Sequence, residues 1–136
     1  MRPLLSNTAL QRHGASSELV VVLHGYTRTA RDMQPLADLV RETHPDADIL
    51  CPDYPARWTA NTDPGVVARE LEILIDEVHE PHHARVILLG HSAGGLLLRK
   101  ALVLGRVASR AWAERVERIV LLAGINRGWS LEERPG

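Results

Sequence analysis

Three short aliphatic runs constrain this chain more than anything else in it: Leu19-Val20-Val21-Val22-Leu23, Val86-Ile87-Leu88-Leu89 and Ile119-Val120-Leu121-Leu122-Ala123. None alternates apolar with polar residues, so each must bury both faces. That is how strands inside a parallel sheet read. A weaker fourth run, Asp48-Ile49-Leu50-Cys51, stops at Pro52. Helical patterns lie between them. Met33, Leu36, Ala37 and Val40 form one amphipathic stripe, and Val67, Leu71, Leu74, Ile75 and Val78 form another. Asp63-Pro64 supplies an N-cap and an N1 proline for the second. Leu96 to Leu104 is apolar nearly all round, with Gly105 as a natural stop. The expected order is β 18–24, α 30–43, β 48–51, α 63–79, β 85–89, α 93–104 and β 116–123. Strict alternation predicts an α/β fold: an open, mostly parallel sheet with helices on both faces, joined by right-handed crossovers.

A chain of 136 residues is one ordinary domain, here taken as 1–136. Sixteen Lys and Arg against seventeen Asp and Glu leave a net charge of -1, no footprint for nucleic acid. No apolar run approaches a membrane span, and the N-terminus has no sustained apolar segment to make a signal peptide. The lone cysteine, Cys51, cannot form an internal disulfide and fits a reducing, cytoplasmic setting.

The strongest chemical signal is Gly90-His91-Ser92-Ala93-Gly94. It follows a strand and opens a helix, the context a nucleophile elbow requires. Gly90 and Gly94 clear space for strand and helix to approach around Ser92. The helix start places the Ala93 N–H where an oxyanion would form. Leu23-His24-Gly25-Tyr26-Thr27, at the end of the first strand, offers a second donor, the Tyr26 N–H. Gly25 lets that loop come close. His24 is read as a structural histidine holding the loop, with general base as the sharper alternative. His91 supports the elbow and, as the neighbour of Ser92, points away from it.

With these motifs the chain resembles the α/β-hydrolase superfamily, in particular its lipase- and esterase-like members. The resemblance runs from about residue 17 to about 130, through His24-Gly25, Pro52-Asp53-Tyr54-Pro55, the Ser92 elbow and Leu121-Leu122-Ala123-Gly124. It implies the third to sixth strands of that fold, Ser92 as nucleophile, and Tyr26 and Ala93 at the oxyanion hole. It also implies a small-molecule acyl ester as substrate and no cofactor. The family places its acid and then its histidine after the nucleophile. Here all 7 histidines lie at or before His91, and the only later acids are Glu114, Glu117, Glu132 and Glu133. The resemblance therefore implies a C-terminally truncated hydrolase with negligible activity of its own. A non-catalytic binding module that keeps the crevice is the alternative.

Other groupings are declined. His79-Glu80-Pro81-His82-His83 reads as a solvated turn rather than a metal site, because Pro81 breaks the helix and no aspartate joins it. Asp53 reads as a turn residue, with displaced acid as the alternative. Cys51 reads as a small buried hydrophobe. Arg99-Lys100 reads as exposed helix, and Trp112 and Trp129 as packing residues. The polar segment 106–117 reads as a solvated surface helix. The run 119–123 would be the last strand, yet its composition is that of an interior one. Self-association through it is expected.

Overall fold

The computed structural model describes residues 9–12, 16–25, 33–54 and 63–122. Five strands and four helices follow one another as β1 (Ala9–Gln11), β2 (Glu18–Leu23), α1 (Gln34–Thr43), β3 (Asp48–Cys51), α2 (Pro64–Val78), β4 (Arg85–His91), α3 (Ala93–Val107), α4 (Ala111–Glu114) and β5 (Val116–Leu122). The sheet order is β1-β3-β2-β4-β5. β2, β3, β4 and β5 run parallel, and β1 is antiparallel to β3. The open, mostly parallel sheet is thus the expected one, with an added strand. β1 carries no aliphatic run of its own, so nothing in its local sequence marks it.

The aliphatic runs of β2 and β4 bury both faces, as expected, whereas that of β5 does not. Leu19, Val21, Leu23, Leu88 and Val86 face α2 and α3, while Val20, Val22, Ile49 and Leu89 face α1. The helices bind by the stripes that define them: Leu36, Ala37 and Val40 on α1, and Val67, Leu71, Ile75 and Val78 on α2. α2 starts where Asp63 accepts the Gly65 N–H at 2.8 Å, with Pro64 inside its first turn.

α3 corrects the expected stop at Gly105. The helix runs on to Val107, and Gly105 lies on its inner face, where a methyl group would sit 2.7 Å from the Trp112 ring. Ser109 terminates it instead, at φ 56. The Ser109 N–H bonds the Arg106 carbonyl (3.0 Å) and the Arg110 N–H bonds that of Gly105 (2.8 Å), a Schellman closure with serine where glycine is usual. Segment 106–117 is therefore no solvated helix. Its short α4 buries Trp112 and Ala113, and Arg110 pairs with Glu72 and Asp76 of α2.

β5 pairs only with β4 among the described residues, with a register shift at Val86/Ile87. It is less covered than the other strands: Leu121 is half exposed, and Val116, Ile119, Val120 and Leu122 are intermediate. No helix among the described residues is long and apolar enough to cross a membrane.

Candidate active site

β2 and β4 are the adjacent strands at which the chain reverses its direction of travel across the sheet. In open α/β sheets a crevice forms there, beyond the carboxyl ends of the strands. Leu23 is in register with Gly90, so the loop after β2 lies level with His91 and Ser92. Ser92 stands between the end of β4 and the start of α3, exposed, at φ 53 and ψ -121. Its N–H is fixed by the Leu122 carbonyl at 2.9 Å, and its own carbonyl accepts the Gly95 N–H at 3.0 Å.

The turn closes only because side chains are missing around it. A methyl group on Gly90 would overlap the backbone of Gly95, and one on Gly94 would overlap the carbonyls of Leu23 and His24. On Gly25, it would stand 2.8 Å from His91 Nδ1 and 3.2 Å from Ser92 Cβ. The predicted residues His24, Gly25, Gly90, His91, Ser92, Ala93 and Gly94 are therefore brought together, and Tyr26 lies outside the described residues. Ala93 is the first residue of α3, so its N–H has no intrahelical acceptor. His91 is buried, with Nδ1 beside Gly25. Ser92 Oγ has no hydrogen-bond partner among the described residues, and no histidine follows it in the sequence.

His24 is wholly buried and bound on several sides. Its ring stacks on Tyr54 with centroids 4.1 Å apart. The Tyr54 hydroxyl donates to the His24 carbonyl at 2.8 Å, and the Tyr54 N–H donates to Nε2 at 3.2 Å. Nδ1 lies 3.1 Å from the Gly25 carbonyl. Asp53 Oδ1 stands 3.0 Å from the same Nε2. Sequence reading considered His24 and Asp53 separately and missed that they meet. The one local signal was that each falls just past a strand end. Burial first, and then the Asp53 charge, push the Tyr54 phenol well above its ordinary range, which keeps it a neutral donor. Burial likewise pushes the Cys51 thiol up to about 11, so it is no nucleophile at neutral pH.

At the opposite end of the sheet the structure corrects the reading of 79–83 as a solvated turn. His83 is wholly buried, and its Nε2 donates to Asp48 at 2.7 Å. An aspartate does join the cluster, and ligand-type atoms of Asp48, His82 and His83 lie within 4.8 Å of one another. The set still does not suit a cation. The Glu80 N–H donates to His83 Nδ1 at 2.8 Å, which occupies the ring's lone pair and leaves a proton, not a ligand atom, facing Asp48. Arg12 also stands 4.0 Å from the same carboxylate oxygen. The open groove lined by Val20, Val40, Ile87, Leu89 and Val120 lies on the α1 face of the sheet and includes none of the elbow residues.

Known proteins share this fold. A sequence model of the alpha/beta hydrolase family matches residues 20–136. The lysosomal thioesterase PPT2 homolog of Drosophila melanogaster is 31% identical over 83 residues, 61% of this chain and 29% of that protein. Among solved structures, the Bacillus licheniformis lipase BlEst2 superposes with a TM-score of 0.61 at 18% identity, covering 89% of this chain and 47% of the lipase. The type II thioesterase BorB of the borrelidin biosynthetic cluster gives 0.60 at 18%, covering 82% and 45%. A putative epoxide hydrolase from Pseudomonas aeruginosa gives 0.60 at 17%, covering 85% and 36%. The chain spans less than half the length of each of these proteins, and the distant structural likenesses speak for the fold alone. Fold, strand order and a family match over most of the sequence lead to one assignment: the chain belongs to the alpha/beta hydrolase family.

Proposed function

We propose that this chain carries the nucleophile half of a serine hydrolase that cleaves small-molecule carboxylic esters. Ser92 Oγ attacks the acyl carbonyl, the N–H groups of Ala93 and Tyr26 receive the oxyanion, the alcohol leaves, and water then releases the acid from the acyl-serine. The observation that carries the reading is the Ser92 backbone. A serine at φ 53 and ψ -121 is strained by about 1–3 kcal/mol, and the glycines around it keep that strained turn accessible. His24, Gly25 and His91 support the loop and the elbow. No metal or organic cofactor enters the reaction. Thioesters are the second substrate class, supported by the two thioesterases among the similar proteins. The same nucleophile and donors would serve, with a thiol as leaving group.

Among the described residues no base is hydrogen-bonded to Ser92 Oγ, so the chain as given is expected to turn over negligibly. In a serine protease, loss of the histidine costs about 10⁶-fold in kcat. The competing reading is a binding module that holds ligands in the crevice without chemistry. Fluorophosphonate labelling followed by peptide mass spectrometry separates them. Modification of Ser92 is expected to be slow in plain buffer, to accelerate when imidazole is added as a diffusible base, and to vanish in Ser92→Ala. Absence of labelling even in imidazole would leave the binding module standing. Fast labelling in plain buffer would make His24 a working base. A cytoplasmic site of action belongs to the same reading, resting on the single, buried Cys51. So does self-association through 119–123, supported by the edge of β5, unpaired among the described residues, and by its half-exposed Leu121.

A further inference from the structure

Pro52-Asp53-Tyr54 follows β3, on the far side of β2 from the elbow. Tyr54 is almost wholly buried, and three contacts tie it to His24: a stacked ring, an N–H donated to Nε2, and a hydroxyl donated to the His24 carbonyl at 2.8 Å. The third contact is the one that reaches the candidate site. The His24 carbonyl is part of the surface on which α3 begins. A methyl group on Gly94 would stand 2.4 Å from that oxygen and 2.6 Å from the Leu23 carbonyl. Gly94 is the second residue of α3, after Ala93. Neither has an acceptor for its N–H among the described residues, as the first turn of a helix leaves them. A buried carbonyl therefore stands against a turn that carries two unpaired donors. Left unsatisfied, such a carbonyl is costly and draws on N–H groups close to it. The Tyr54 hydroxyl occupies it instead. Burial, and after it the Asp53 charge, hold the phenol well above its ordinary range, so the hydroxyl keeps its proton.

We infer that Tyr54 is a positioning residue for the acyl transfer proposed above: its hydroxyl satisfies the His24 carbonyl against the start of α3 and so keeps the Ala93 N–H free for the oxyanion. The inference rests on the reading of Ser92 as nucleophile. Tyr54 acts from the end of β3, across β2, through one hydrogen bond. Without that hydroxyl the carbonyl is released to take the Ala93 or Gly94 N–H, and the first turn of α3 moves towards β2. The oxyanion then loses its alignment with a donor that must be in place before the charge develops. Asp53 acquires a use as well, because its charge helps to keep Tyr54 protonated.

Fluorophosphonate labelling of the whole chain at a fixed imidazole concentration tests the inference. In that step the Ser92 Oγ–P bond forms, the P–F bond breaks, fluoride leaves, and imidazole takes the serine proton. Tyr54→Phe deletes the hydroxyl and keeps the stacked ring. Tyr54→Leu is a second hydroxyl-free variant if the first does not fold, and circular dichroism checks each. The maximal labelling rate is expected to fall about tenfold, part of the ~100-fold that a 1 Å misplacement costs, with the half-saturating probe concentration unchanged. The phosphorus NMR resonance of the Ser92 adduct reports hydrogen bonds to the phosphonyl oxygen. In the folded variant it should move towards its position in the urea-unfolded adduct. A slower rate with an unmoved resonance would make Tyr54 a packing residue and overturn the inference. So would labelling as fast as in the unaltered chain. Failure of the unaltered chain to label even in imidazole is a separate result: it overturns the reading of Ser92, and this inference falls with it.

Discussion

The two ends of the sheet each bury a histidine beside an aspartate, and they use the pair differently. At the amino ends of the strands, His83 and Asp48 are both fully buried, and both nitrogens of His83 are committed. At the carboxyl ends, His24 is buried but Asp53 keeps a quarter of its side chain in solvent, and the pair anchors a loop that reaches Ser92. Ser92 itself is strained and exposed, with its hydroxyl uncommitted among the described residues. Polar groups that are buried and mutually satisfied hold a fold together. A polar group held open at a cost in backbone strain points to function. The contrast teaches that a buried His–Asp pair does not by itself mark a candidate site in this molecule. The strained backbone of one exposed serine does.

Breaking the closed end should produce the largest effect. Asp48→Ala would leave the His83 N–H without its charged acceptor in a fully buried site, and such a loss costs up to about 3 kcal/mol. Urea unfolding should show this as a much lower midpoint with little change in slope. A loss below about 1 kcal/mol would mean that water reaches His83 and that the two ends are less different than they look.

Crowding the open end comes next. Gly94→Ala forces a methyl group onto the carbonyls of Leu23 and His24, which are backbone and cannot rotate away. Overpacking of this kind costs about 1–3 kcal/mol. It should also push the 24–25 loop away from the elbow, so the imidazole-assisted labelling of Ser92 should fall. Unchanged labelling in a stably folded Gly94→Ala would show that the loop is not needed to hold the site.

Much of this was legible in the sequence wherever the signal was local. The runs at 19–23 and 86–89 declare strands because both faces must be buried, the run at 119–122 declares one that stays partly exposed, and the elbow declares itself because its glycines sit two residues either side of Ser92. What was not legible depended on distant partners. β1 exists because β3 offers it an edge, not because Ala9–Gln11 has a pattern. His83 looked solvated because it follows Pro81 in a polar turn, yet its partner lies 35 residues away. Gly105 looked like a helix stop, but Trp112 needs the space, and Ser109 takes the positive φ that usually marks a glycine. The meeting of His24 with Asp53 and Tyr54 is of the same kind, created by the parallel pairing of β2 with β3.

High pH probes the comparison more gently. Burial raises the Cys51 thiol to about 11 in the folded chain, whereas an unfolded thiol titrates near 8.5–9. Above that lower value the unfolded state gives up its proton first, so stability present below about pH 9 is lost as pH rises towards 11. The total is about 2–3 kcal/mol. Tyr54, also raised by burial, adds a loss of the same sign above its ordinary value of 10. Cys51→Ala should flatten the first part of that decline, with stability measured from pH 7 to 11. On the acid side, burial lowers His79, so its contribution is present above about 6.5 and fades as pH falls below it.

The smallest expected effect is the most specific, because its sign is opposite. Ser92→Gly removes the side chain that makes φ 53, ψ -121 costly and leaves the Ser92 N–H bond to Leu122 intact. Glycine enters this region without a steric penalty, although it also gives the unfolded chain more freedom. Relief of about 1–3 kcal/mol of strain, less an entropic loss of up to about 1 kcal/mol, should leave the variant more stable by about 1 kcal/mol. Ser92→Ala should gain much less, since its Cβ meets the same backbone that serine does. Both lose labelling, so chemistry and stability separate cleanly. A protein that becomes more stable when its candidate nucleophile is replaced by glycine is storing strain at that residue, as the open end of the sheet requires. If Ser92→Gly is instead destabilising by as much as an ordinary helix-terminal serine-to-glycine change, the turn is relaxed. The physical case for Ser92 as a held nucleophile would then rest on its neighbours alone.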